Sequence, residues 1–141
     1  MINSNVLINF LGANGCEEIA TDKHGNKTTV LVEFSEICKD ASKYICMLSE
    51  FYTAQGVKRE LSADECIARQ EKMELKLHFL VKKALWLNNR CKSMTGEPFL
   101  ERKLNGNSAR DCAKFVKELY TVLRNYLEML DGVDVDEESV A

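Results

Sequence analysis

The sequence predicts a mainly α-helical fold, a coiled-coil-like three-helix bundle carrying a small N-terminal β-hairpin. Beyond Phe34, apolar residues recur in alternating steps of three and four, the period of a helix with one buried stripe. A single proline in 141 residues leaves long helices uninterrupted. Before residue 34, two segments with strand character flank a cluster of turn formers, as in a hairpin.

Residues 1–33 read as the β element. Val6-Leu7-Ile8-Asn9-Phe10-Leu11 is a candidate strand, closed by the Gly12-Ala13-Asn14-Gly15 turn. Cys16 to Thr21 and Lys27 to Glu33 form the hairpin around Asp22-Lys23-His24-Gly25-Asn26. A lone hairpin is marginal in water, so it must pack on something. The first helix spans about Ser35 to Gln55, with a seam of Phe34, Ile37, Ala41, Tyr44, Leu48 and Phe51, and Gly56 is a suitable stop. The second opens on Ser62 and Glu65 in capping-box spacing, and Gly96 and Pro98 end it. Its seam is Cys66, Gln70, Met73, Leu77, Leu80, Ala84, Leu87, Cys91 and Met94. The third is capped by Asn107 or Ser108 and stops at Gly132, with a seam of Cys112, Val116, Leu119, Leu123, Tyr126 and Leu130. Residues 1–132 are thus expected to form one domain (1–33 the β element, 34–132 the bundle), and 133–141 an acidic tail.

Charge is unevenly spread. Residues 1–57 hold four Lys/Arg against seven Asp/Glu, residues 58–124 fifteen against nine, and residues 125–141 none against six. The middle is basic and the end acidic, so the tail is expected to screen basic surface on its own or a neighbouring chain. No apolar run approaches the roughly 18 residues that span a bilayer. Val6 to Leu11 is a poor signal peptide, short and without a basic segment ahead of it. A cytoplasmic location without membrane attachment is the expectation. The six cysteines are then expected to be reduced, since Cys66, Cys91 and Cys112 fall on helix seams where a thiol serves as a small hydrophobe.

Function should show in residues the bundle does not need. The third helix is apolar beyond its seam, with Phe115 and Val122 among the flanking residues. The second carries Leu75, Phe79 and Trp86 roughly opposite its seam. A helix with two apolar faces is either sandwiched within the fold or presents one to a partner. Leu75, Phe79, Trp86, Phe115 and Val122 are therefore the candidate partner interface. Along one edge of the second helix, Arg69, Lys76, Lys83 and Arg90 recur every seven residues. Such a row either tracks nucleic-acid phosphates or pairs with acids on adjacent helices.

No catalytic constellation is visible. His24 falls in the hairpin turn and His78 off the core seam, and no GxxxxGK[ST], GxGxxG or GxSxG motif occurs. The closest cysteines, Cys38 and Cys46, are eight apart, which is poor spacing for zinc. The acidic run from Asp131 lacks the glycine and closing glutamate of a calcium loop. The expected function is a non-enzymatic protein-interaction module (adaptor, assembly factor or inhibitor) without cofactor or metal. Its partner is a protein or a second copy of itself. The alternatives are a nucleic-acid-associated protein using the basic row, and a cysteine-based redox or enzymatic function centred on Cys46, which lies outside the first helix's seam.

Overall fold

Leu7, Phe10 and Leu11 are buried at a helical spacing, and Asn3 accepts a hydrogen bond from the Val6 N–H at 3.2 Å. The first apolar run therefore folds as a capped helix, α1 (Ser4–Asn14), and not as the expected strand. An apolar run of six residues carries no period that separates a buried strand from a buried helix turn, and here packing decided. The hairpin does form, as β1 (Glu18–Thr21) paired antiparallel with β2 (Lys27–Thr29) through a bulge between Glu18 and Ala20. Asp22 accepts from the backbone N–H groups of His24 and Asn26, and Gly25 takes the positive φ of 82° that the turn requires.

The second strand is shorter than expected because the next helix starts early. Thr29 accepts from the Val32 N–H at 3.3 Å, and α2 (Val30–Gly56) begins there. Val30 extends the Phe34–Ile37–Ala41–Tyr44 stripe by one more step of four, and all five are buried. α3 (Ala63–Thr95) is capped by Ser62, which accepts from the Glu65 N–H, and ends on Gly96 at φ 89°. Its buried stripe is Met73, Leu77, Leu80, Val81, Ala84, Leu87 and Cys91, whereas Gln70 at the N-terminal end of the expected seam is exposed. α4 (Ala109–Val140) starts after Ser108, which accepts from the Asp111 N–H, and continues past the expected stop at Gly132. One glycine costs a helix only about 1 kcal/mol relative to alanine, and no proline follows it.

The computed structural model describes residues 2–56, 62–105 and 107–140, the side chains of 52–56 and 131–140 excepted. The side chains of the expected acidic tail thus lie outside the described residues. The protein is mainly helical, with four helices and a small two-stranded antiparallel sheet among the described residues.

α2 packs against both α3 and α4, which also touch each other. Lys83 of α3 pairs with Glu33 and Glu36 near the start of α2, while Lys72 and Met73 share a groove with Met47 and Phe51 near its end. On α4, Ala109 to Lys117 border the same groove as Tyr44 and Phe51, and Arg124 and Glu128 act electrostatically on Cys38. Both α3 and α4 therefore run opposite to α2, and the connection between them returns along the fold.

That connection is anchored in the core. Phe99 is fully buried, its ring 5.8 Å from Phe34, and Phe34 meets Phe10 edge-on at 6.1 Å. The Asn3 N–H donates to the Phe99 carbonyl at 2.7 Å, Ile2 bridges Leu100, and the Asn88 side-chain oxygen accepts from the Leu100 N–H. The Ile2 N–H donates to Glu118 of α4 at 3.0 Å. Ile2 and Asn3 are thereby tied to both α4 and the connection.

Phe34→Ala should cost about 3–5 kcal/mol and Leu119→Ala, at 1% exposure, about 2–5 kcal/mol, both read from urea unfolding midpoints. Losses below 1 kcal/mol would show that these side chains do not carry the core.

Candidate functional site

α3 is roughly 50 Å long and buries one stripe of its circumference. Leu75 and Phe79, one turn apart on another face, are 57% and 60% exposed, the two most exposed large apolar side chains among the described residues. They border an open groove of 400 Å³ between α3 and α2, lined also by Leu80, Lys72, Lys76 and Lys83, with Asp40 contributed by α2. Ile67 and Leu85 are also exposed on α3, on a different flank of the helix.

The groove ends at a salt-bridge cluster. Glu33 is buried at 7% exposure, and Lys83 reaches it at 2.7 Å while bonding Glu36 at 2.9 Å. Burial alone would lower the Lys83 pKa. The hydrogen bonds and negative charges of Glu33 and Glu36 outweigh it, holding the ammonium above its ordinary range. Lys83 thus neutralises two acids of its own chain. Arg69, Lys72 and Lys76 form no ion pair among the described residues.

The expected interface residues do not form one patch. Phe115 is 0% exposed, in the core with Val116 and Leu119, and so cannot face a partner; this corrects its assignment. A helix packed on two neighbours buries more than one stripe, and Phe115 sits one step off the seam that was read. Trp86 is half-buried against the core, with the Arg90 guanidinium 5.8 Å above its ring. Val122 is likewise half-buried and lines a separate small groove between α1 and α4 with Ile8, Tyr126 and Met129. Leu75 and Phe79 alone stand out from the fold as expected.

The basic row is broken by internal partners. Lys83 is held by Glu33 and Glu36, and Arg90 caps Trp86 and donates to the Ile19 carbonyl at 3.4 Å. Arg69 is exposed and Lys76 half-buried.

His24 and His78 are both exposed, on the hairpin turn and on α3, and His78 borders a small groove that Cys112 also lines. All six cysteines are free. Cys91 and Cys112 are buried, and burial raises their thiol pKa, as it does for Cys38, where nearby Arg124 acts in the opposite direction. Cys46 is exposed on α2. Among the described residues, no three His, Cys, Asp or Glu side chains are grouped to hold a metal ion, and no helix is long and apolar enough to cross a membrane.

Comparison with known proteins finds no matching family model, no matching curated protein and no matching solved structure.

Sequence reasoning missed the Glu33–Lys83 pair and the Ile8–Met129 groove. A glutamate next to Phe34, on the flank of the α2 seam, was the available signal for the first. The second was hidden by reading α1 as a strand.

Lys83→Ala strands the buried Glu33 carboxylate and should cost about 1–3 kcal/mol, while Lys83→Arg should retain most of that stability. Because folding raises the pKa of Lys83 and of three thiols, their contribution is complete below the ordinary values. It is lost as pH climbs through the folded ones, starting near the ordinary thiol value of 9.0 and continuing past the lysine value of 10.5. Thermal melts across that alkaline range should show falling midpoints, and flat midpoints would contradict the assigned shifts. In a thiol titration of the native protein, Cys16 and Cys46 should react first and Cys91 and Cys112 only on unfolding.

Proposed function

We propose that this protein is a non-enzymatic interaction module that binds protein through the outer face of α3. In this reading α2, α3 and α4 form a coiled-coil-like three-helix bundle whose task is to hold that face rigid. The observation that carries it is the pair Leu75 and Phe79, each more than half exposed on one groove. Single exposed apolar residues are ordinary, but two large ones on adjacent turns bordering one groove make a patch of the kind partners cover. A rigid helix face carries no conformational-entropy cost for the backbone when it docks. The proposed setting is cytoplasmic, and the proposed role is that of an adaptor, assembly factor or inhibitor, possessed of no chemistry of its own.

Among the described residues, the nucleic-acid alternative keeps only Arg69 and Lys76 of its four cations unengaged, and a row with gaps tracks phosphates poorly. The Cys46 alternative rests on exposure alone.

Leu75→Asp combined with Phe79→Asp should change unfolding stability by no more than about 0.5 kcal/mol, as surface substitutions do. The same variant should lose the protein's associations, read by sedimentation of the purified chain and by co-purification from its host. A destabilisation of several kcal/mol would mean that the face belongs to the fold, and unchanged association would mean that it is idle.

A further inference from the structure

The groove on α3 has a chemistry that narrows its occupant. Its walls combine Leu75, Phe79 and Leu80 with Lys72 and Lys76, two cations without an ion pair among the described residues. An occupant must then offer apolar side chains interleaved with acids. Two α3 faces laid on each other would set Lys72 and Lys76 against their own copies, which like-charge repulsion disfavours.

The chain itself holds a segment of the required kind. Residues 131–141 contain Asp131, Asp134, Asp136, Glu137 and Glu138 with no Lys or Arg, interleaved with Val133, Val135 and Val140. This segment is directed away from the Lys72 end of the groove of its own copy. α4 passes Cys38 at Arg124 and Glu128 while running opposite to α2, so its continuation heads beyond the start of α2. Lys72 lies toward the other end, sharing a groove with Met47 and Phe51.

Resting on the docking reading above, we propose that the α3 groove receives the acidic C-terminal segment of a second copy of this chain. Valine side chains of the segment cover Leu75 and Phe79, and its carboxylates meet Lys72 and Lys76. Made reciprocally about a two-fold axis, the contact closes a dimer; made in one direction, it builds longer assemblies.

The full chain should show a mass above monomer that rises with concentration in light scattering, and its self-association should weaken several-fold from low to high salt. Phe79→Asp should abolish it. Lys72→Glu with Lys76→Glu should abolish it too, and mixing that variant with one carrying Asp134→Lys and Glu138→Lys should restore a mixed assembly. Far-UV circular dichroism confirms that each variant is folded. A full chain that stays monomeric at every concentration overturns the proposal. So does an assembly that survives Phe79→Asp, or one that survives removal of residues 131–141. Should the chain stay monomeric while Leu75→Asp with Phe79→Asp folds normally and loses a different bound protein, only the self-docking inference falls and the module reading stands.

Discussion

The ring of Phe34 lies between Phe10 of α1 and Phe99 of the α3–α4 connection, and the rest of the arrangement depends on that junction. Edge-to-face aromatic pairs add roughly 0.5–1.5 kcal/mol each beyond the area they bury. Here they also join three segments from different parts of the chain, alongside the backbone ties at Ile2 and Asn3. With Phe99 seated, the connection lies against Ile2 and Asn3, and α4 can begin beside the middle of α3 and run in the same sense along α2. Both long helices then pack on one helix, α2, whose own stripe from Val30 to Phe51 is buried.

That arrangement explains why α3 is left with an outer face. α1 packs on both α2 and α3 and borders α4, and the segment around Ile2 reaches the connection and α4, yet Leu75 remains 57% exposed. The Glu33–Lys83 pair works at the same boundary. A buried carboxylate needs a countercharge, and the register of α3 on α2 supplies one by setting Lys83 opposite the first turns of α2. In that register Phe79, one turn earlier than Lys83, falls at the open side of the groove next to Asp40. The exposure of Phe79 is thus tied to an electrostatic requirement inside the fold, as well as to its place on the helix.

The long helices were legible in the sequence because their pattern is repeated many times. Ile37, Ala41, Leu77, Leu80, Leu87, Leu119 and Leu123 all lie buried on the stripes read from spacing. Short elements were less legible. Val6–Leu11 spans too few residues to show a period, and the Val30–Glu33 stretch was read as strand because Val30, Leu31 and Val32 are good strand formers. A threonine at residue 29, able to cap a helix, was the overlooked sign. Of the candidate interface, Leu75 and Phe79 were readable from helical geometry. Phe115 was not, because which flank of α4 meets a neighbour depends on how the chain returns from α3. The engagement of Lys83 and Arg90 was likewise invisible, since their partners lie 47 and 71 residues away in sequence.

The magnitudes set what such a face can do. Burying an apolar side chain of this size is worth about 1.5–3 kcal/mol, so Leu75 and Phe79 together supply a few kcal/mol at most. Bringing two bodies together costs on the order of 4–15 kcal/mol in lost translation and rotation. Two anchors therefore do not hold a partner by themselves, and the cations at Lys72 and Lys76 must share the contact. Interfaces built this way are weak, quick to exchange and sensitive to salt, because the charged part of the contact is solvent-exposed and easily screened. In the proposed role, a helix face of modest apolar area with cations beside it suits reversible docking rather than an obligate subunit contact, whose buried areas are larger and more uniformly apolar.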